Sequence, residues 1–561
     1  MSIIFQLIKD FAKEEKFKAS IILGTSIINN VIQSIGFSRI TAMILTELNN
    51  KKFNKAQYYF TLFIYLSILY IGVCFVYRHF QNGLLSKLYQ WTRFQLVRML
   101  MVSNEEEFSN ENFTSMISPI NRVSSTTFSV LNDLITFYIP NIIFLIVSVV
   151  YILYQHVSIG AVFIAGNIAW MIYLMFNWKP LLKKNQSYEK QVNITEKYLL
   201  EMLGNMDKII ARGQTSHELS ILKEKKKYST EKSFNFYSSL DNNLLVVNTI
   251  VLITTLCCIG IGIQLYRKGN FTQIGFVTFF TILLMYRDRV LNSINILPEF
   301  IETIGRSEVL IKQLNELQEN YEKCKNKIYN AKKLDFANLE LENVCFEFKN
   351  KVIFKDVNLQ FRTTNHNIIG LTGPSGKGKS TMCKMFLKMY KCNQGNVYID
   401  GIDIEDVDPV YIRENITYVN QNSKLFDRNV LENILYGCKD KEFCMEKVKF
   451  IMQYPKIKEL YKDIDLEKND CGPMGENLSG GQRQIVNIIS GLINPSRIVI
   501  LDEPTNALDK QLKIELLDII KQFKKEKQAI IIITHDKDVY PMFDDHIDLE
   551  NSNNIGSFSN T

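Results

Sequence analysis

Three short segments hold residues able to handle a phosphorylated nucleotide. Gly373–Ser380 reads GPSGKGKS. An apolar run, Asn367–Thr372, leads into it as a strand, and a helix-like stretch, Thr381–Met389, follows. Strand, glycine loop and helix in that order form a phosphate cradle. Gly373, Gly376 and Gly378 let backbone N–H groups turn inward, and the helix N-terminus adds partial positive charge. Lys379 is placed to reach the β- and γ-phosphates, and the Ser380 hydroxyl to ligate Mg²⁺. Pro374, Ser375, Lys377 and Thr381 complete the nucleotide-contacting run. A second apolar strand, Ile498–Leu501, ends in Asp502 and Glu503. Asp502 is placed to hold Mg²⁺, directly or through water, and Glu503 to polarise an attacking water. A third strand, Ile530–Thr534, presents His535 toward a γ-phosphate. The cradle alone implies only that a nucleotide binds. Between the cradle and the acidic strand end lies LSGGQRQ, Leu478–Gln484. The three together, in this order, are far more specific than the cradle alone.

The remainder of the chain is of two kinds. It has 561 residues, 47% of them hydrophobic, with a net charge of +7. That length exceeds one ordinary soluble domain, and so small a basic excess gives no support to a nucleic-acid partner. Up to about Arg289 the sequence is a series of apolar runs; from about Leu334 it alternates like a soluble α/β domain. A membrane-crossing helix needs roughly 20 apolar residues. Candidates are about 18–46, 57–77, 128–154, 157–178, 243–266 and 273–290. The uncharged Val246–Leu265 is the clearest. Asn29, Asn30 and Gln33 interrupt the first, and Arg287–Asp288–Arg289 terminates the last. The long links after the second and fourth spans read as polar helical extensions.

Lysines in 179–242 favour the cytosolic side for that link, whereas Lys51, Lys52 and Lys55 then fall outside, against the positive-inside rule. Orientation is decided by the ATPase, which must meet cytosolic ATP. The ten cysteines show no metal-ligand spacing and read as thiols rather than a disulfide framework. Acidic residues and the lack of a small-residue cleavage site argue against a removable signal peptide at the N-terminus.

With these motifs in this order the chain resembles an ATP-binding cassette transporter of exporter type, a half-transporter with six helices and one nucleotide-binding domain. The implied fold is an all-α polytopic membrane domain over 1–315, a linker at 316–334, and an α/β P-loop NTPase domain over 335–561. The resemblance implies that Phe348 stacks on adenine, and that Gln421, in YVNQNSKLF, contacts Mg²⁺ and senses the membrane domain. It implies that Ser479, Gly480, Gly481 and Gln482 close on ATP held by the opposite subunit. Asn506–Ala507–Leu508–Asp509 matches the loop crossing between the two sites. Coupling helices are implied near Ser109–Ser118 and Met202–Arg212.

Three positions depart from the family pattern. Pro473 stands where exporters usually carry a glutamate, which implies altered coupling. Ile485–Gly491 replaces an arginine-containing helix, and Lys377 adds a charge to the phosphate loop.

The expected activity is ATP-driven export of an amphipathic substrate (lipid, peptide or drug) by alternating access. ATP and Mg²⁺ are the cofactors and membrane lipid the surroundings. The expected assembly is a homodimer, with a second half-transporter as the alternative. Rival readings are an importer of the same architecture, carrying siderophore-type cargo, and an ATP-gated channel or regulatory module. A soluble cassette ATPase is incompatible with the apolar half. Asn29, Asn30, Gln33, Asn167 and Asn248 either line a polar route or hydrogen-bond neighbouring helices. No peptidase-like segment precedes the first span, so leader cleavage by the chain is not expected.

Overall fold

The computed structural model describes residues 2–106, 116–329, 333–348, 351–364, 366–421, 424–506, 508–550 and 557–558. They fall into two compact units, one of Met1–Leu100 with Glu111–Glu319, the other of Met101–Asn110 with Asn320–Thr561. Residues 109–115 of the implied first coupling helix, and Ala507, lie outside the described residues.

The first unit is helical, as backbone amides in hydrocarbon must be satisfied within their own segment. Its helices are α1 (Ser2–Glu14), α2 (Lys16–Val31), α3 (Phe37–Asn49), α4 (Phe53–Glu106), α5 (Ile117–Asp133), α6 (Ile139–Gln155), α7 (Val157–Gly204), α8 (Met206–Ala211), α9 (Thr215–Arg267) and α10 (Gln273–Lys325), of which α4 beyond Leu100 and α10 beyond Glu319 belong to the second unit. The 54 residues of α4 make a rod of about 80 Å, against a hydrocarbon core of about 30 Å. Such helices cross the bilayer and continue beyond it. Five segments among the described residues are long and apolar enough to cross: Lys16–Asn49, Phe53–Glu105, Pro119–Gln155, Val157–Gly204 and Thr215–Arg267. The sixth expected span opens α10, whose apolar run is cut at Arg287–Asp288–Arg289. The chain is thus a multi-pass membrane protein.

Outward faces of these helices are apolar, with Ile68, Ile71 and Phe75 exposed on α4 and Leu245, Ile253 and Leu256 on α9. Inside, small residues let backbones approach. A Cβ on Gly166 of α7 would lie 2.1 Å from the Thr254 hydroxyl of α9. The five amide-bearing residues divide. Asn167 accepts hydrogen bonds from Tyr286 (2.9 Å) and Trp170 (3.1 Å), joining helices. Asn29, Asn30 and Gln33 line a cavity. Asn248 Oδ1 is buried without a partner.

The second unit holds two sheets. β1 (Asn338–Phe348), β2 (Lys351–Arg362), β4 (Gln394–Ile399), β5 (Ile402–Asp403) and β10 (Ser557–Phe558) form one, in the order β10-β2-β1-β4-β5. The other is β6-β7-β8-β3-β9, from β3 (Asn367–Thr372), β6 (Ile416–Val419), β7 (Ile498–Asp502), β8 (Ala529–Ile533) and β9 (Asp545–Asp548). Its pairings are parallel. Every residue of β3, β7 and β8 is buried. That explains runs such as AIIII, since a parallel sheet is covered on both faces.

The intervening helices are α11 (Lys379–Met385), α12 (Pro409–Asn415), α13 (Val430–Ile434), α14 (Lys441–Ile451), α15 (Pro455–Leu460), α16 (Gly480–Ile493) and α17 (Lys510–Phe523). Two cores flank the parallel sheet. One joins it to the antiparallel sheet and α11; the other joins it to α14, α16 and α17. The isoleucines that replace an arginine-containing helix, Ile485, Ile488 and Ile489, are buried in the second core.

One expectation is corrected here. Cys438 and Cys444 are bonded to each other, because the turn capping α14 brings their Cα atoms to 6.7 Å.

Candidate nucleotide site

Parallel strands carry their loops at the carboxyl edge, where ligands of open α/β sheets bind. β8 lies between β7 and β3, with Leu371 and Asp502 both paired to Ile533. This register brings the ends of three strands level: the glycine loop after β3, the Asp502–Glu503 pair after β7, and His535 after β8. Val419 pairs with Leu501, so Gln421 follows β6 at the level of Glu503. Gln421 is exposed there.

The loop turns through left-handed backbone at Gly376 (φ 83°) and Gly378 (φ 82°), the latter capping α11. A Cβ on Gly378 would stand 2.8 Å from Phe354 and 2.9 Å from Ile353, so glycine is required twice over. Pro374, Ser375 and Gly376 are exposed, and Gly373, Lys377, Ser380 and Thr381 are half-buried. Lys379 is buried and donates to the carbonyls of Gly373 (2.7 Å) and Pro374 (3.0 Å), across the loop. Burial pushes its ammonium pKa down, while Glu503 and Asp502 oppose that shift.

Asp502 and Glu503 are buried. Glu503 has φ 51°, an uncommon conformation for a side chain other than glycine. Its amide donates to Ile533 O (2.8 Å), which holds the turn. Its Oε1 lies 2.8 Å from His535 Nδ1, and its Oε2 accepts from Thr534 Oγ1 at 3.4 Å. His535 is otherwise exposed.

Tyr418, on β6, escapes attention as one aromatic in a short strand. Its hydroxyl donates to Asp502 Oδ2. Burial, then the Asp502 charge, push the Tyr418 phenol far above its ordinary range. A second unforeseen group is Gln484, whose amide donates to Glu503 O (3.3 Å) and Pro504 O (3.4 Å). Only the register of β6 against β7 reveals Tyr418; the sequence spacing does not.

The remaining site residues lie on other elements. Phe348 ends β1, half-buried against the first core. Ser479 caps α16 in a reciprocal box: its amide donates to Gln482 Oε1 (2.7 Å), and its Oγ accepts from Gln482 N (3.2 Å). Gln482 Nε2 also donates to Leu460 O (2.9 Å). Ser479 and Gly480 are exposed, Gly481 and Gln482 half-buried. A Cβ on Gly480 would meet nothing within 4 Å. Asp509 caps α17, accepting from Gln511 N and Leu512 N at 2.9 Å each. Pro473 is exposed, between left-handed Gly472 and Met474.

Residues 354–506 match the family described as ABC transporter. The chain is 28% identical over 334 residues to the lactococcin-G-processing and transport ATP-binding protein of Lactococcus lactis, covering 58% of this chain and 46% of that protein. It is 32% identical over 199 residues to an ATP-dependent lipid A-core flippase of Haemophilus influenzae, covering 35% and 33% respectively. These matches span less than half of either relative. A putative export ATP-binding/permease protein of Rickettsia typhi is 22% identical over 528 residues, 92% of this chain and 87% of its own length. The fold superposes on a bacterial Atm1-family ABC exporter with ATP bound, at TM-score 0.73 and 18% identity, over 96% of this chain and 93% of that one. Residues 354–506 are thus similar to the ABC transporter family, and they follow a helical membrane domain in a chain whose fold is that of a solved ABC exporter.

Proposed function

We propose that the chain is an ATP-driven transporter that works as a dimer and exports an amphipathic cargo. The observation carrying this is the division of phosphate-binding groups between two places. The loop 373–380, Glu503 and His535 gather at the carboxyl edge of the parallel sheet. The N-terminus of α16 is exposed at Ser479 and Gly480, and its capping side chains are satisfied within their own lobe. A helix N-terminus of this kind favours an anion. In a pair of chains it receives the γ-phosphate of ATP held by the partner. ATP then stabilises only the closed pair, which shifts the membrane helices between two arrangements.

Phe348 is assigned to adenine, the run Gly373–Thr381 to the phosphates, and Asp509 to the crossing between sites. Ser380, Asp502 and Gln421 offer hydroxyl, carboxylate and amide oxygens, the hard donors Mg²⁺ takes. Bound there, Mg²⁺ would neutralise phosphate charge. Lys379 adds positive charge, and Glu503 orients the attacking water. With Nδ1 donating to Glu503, the neutral His535 ring has Nε2 as an acceptor. Contact with a γ-phosphate therefore requires either imidazolium or release from Glu503. The cassette is assigned to the cytosol, where ATP is. Export is favoured over import by the exporter fold and by the export protein matched over most of its length.

The test is ATPase activity of the full chain in lipid vesicles against a panel of lipids, peptides and amphipathic drugs. Stimulation by one class, abolished by Lys379→Met, supports the proposal. Hydrolysis indifferent to every class and to Lys379→Met contradicts it.

A further inference from the structure

We propose that the membrane domain contains a binding site for anionic amphipaths, with the acidic head on Arg289 and the tail in an adjoining apolar cavity. The proposal rests on the transport function above and narrows its substrate class.

Two cavities in this unit share Arg289. The larger, of about 400 Å³, is lined among others by Asn29, Asn30, Gln33, Arg78 and Gln81. It carries two guanidinium groups and no carboxylate among its lining residues. The smaller, of about 140 Å³, is lined mainly by apolar and aromatic groups, including Leu145, Trp170, Met171 and Leu174. Arg289 therefore stands where a polar chamber meets an apolar one. A molecule with a charged head and a hydrocarbon tail has that same division.

Arg289's contacts are all neutral. It donates to Asn30 Oδ1 (3.0 Å), Asn141 Oδ1 (3.2 Å) and Gln33 Oε1, and its Cζ lies 4.6 Å from the Phe144 ring centroid. An arginine among membrane helices ordinarily pairs with an acid or serves a transport path. Here oriented amides hold the guanidinium and leave its charge uncompensated, with Arg78 adding a second positive charge to the same chamber. An anion completes the arrangement; a cation is repelled by it.

Two further observations point to the same place. Among the described residues, the membrane unit has π-helical turns at Ile32–Gly36 and Leu134–Tyr138. Gln33 and Thr136 of these turns line the polar chamber, and Tyr138 lines the apolar one. Such turns interrupt regular helix and gather at functional sites. Asn29 Oδ1 and Tyr138 Oη, from residues lining the two chambers, are buried without hydrogen-bond partners.

Trp170 supplies the readout. The full chain in phosphatidylcholine nanodiscs, without nucleotide, is titrated with tail-brominated dodecyl phosphate and with tail-brominated dodecyltrimethylammonium. Trp170→Phe subtracts the other tryptophans. Charge-assisted hydrogen bonds to Arg289 predict half-quenching by the phosphate at roughly 10-fold lower concentration or better. Arg289→Gln should erase that difference, and Arg289→Lys should keep part of it. Brominated phosphatidylglycerol separates the sources: its quenching assigns the site to anionic heads in general, and its failure beside dodecyl phosphate restricts it to single-tailed anions. Equal quenching by phosphate and ammonium in the unsubstituted protein overturns the proposal. No hydrolysis is involved, so that outcome leaves the transport function standing. Charge-selective quenching in a protein without ATPase activity would overturn the transport function alone.

Discussion

Tyr418→Phe removes one oxygen and leaves the ring in place, including its packing 5.3 Å from the Lys384 ammonium. The lost hydroxyl donates to the buried Asp502 carboxylate. A hydrogen bond to a charged group is worth about 1.5–3 kcal/mol, or roughly 10–100-fold in an equilibrium. Without it, the buried Asp502 carboxylate loses a fixed partner and can rotate out of the orientation a metal would meet. Partners behind a metal ligand typically contribute about 10–100-fold in affinity, and the low end, about 10-fold, is expected here because Ser380 and Gln421 remain. The assay is the Mg²⁺ midpoint of phosphate release at saturating ATP. Mn²⁺ binding by electron paramagnetic resonance gives a readout independent of turnover. An unchanged Mg²⁺ midpoint and Mn²⁺ affinity in a normally folded variant would refute the role given to Tyr418.

Two other predictions concern stability. Gly378→Val combines a φ of 82° with a Cβ pressed against Phe354 and Ile353. Left-handed backbone costs about 1–2 kcal/mol and overpacking about 1–3, so the melting temperature of the variant should fall measurably; an unchanged melt contradicts the loop geometry. Acid sensitivity is the second. At Asp536, burial raises the carboxyl pKa, but Lys513, the Asp538 amide and Thr505 outweigh it and hold it below 3.8; at Asp544, Lys524 and the Ile368 amide do the same. Folded values below the unfolded ones mean stability that is present above the carboxylate range and lost as pH falls through the folded pKa. Urea midpoints should therefore drop on acidification below about pH 4, and Lys513→Met should flatten that slope.

The backbone of the candidate site was legible where residue type and spacing coincide with conformational need. The glycines of the phosphate loop, the acidic end of β7 and the serine cap of α16 are local features, readable one segment at a time. Tyr418 was not, because its role depends on the pairing of β6 with β7 rather than on neighbours in sequence. Arg289 read as the end of an apolar run, a boundary mark. Its amide partners come from helices more than a hundred residues away in sequence, which hydropathy cannot bring together. The intramembrane amides were ambiguous for the same reason. Asn167 proved to be a tie between helices, while Asn29, Asn30 and Gln33 face a cavity. The Cys438–Cys444 bond depends on the turn before α14, and spacing alone led to the contrary reading of thiols.

The central claim is that nucleotide is held between two polypeptides. Glu503→Gln should bind ATP, hydrolyse it poorly and keep the pair closed. A benzophenone amino acid placed at the exposed Ser375, in a mixture of ¹⁴N- and ¹⁵N-labelled Glu503→Gln chains in lipid, reports which chain faces the loop. With ATP, irradiation should yield adducts on residues 478–484 that join light to heavy chains. Adducts confined to single chains, or no change on adding ATP, would contradict the account.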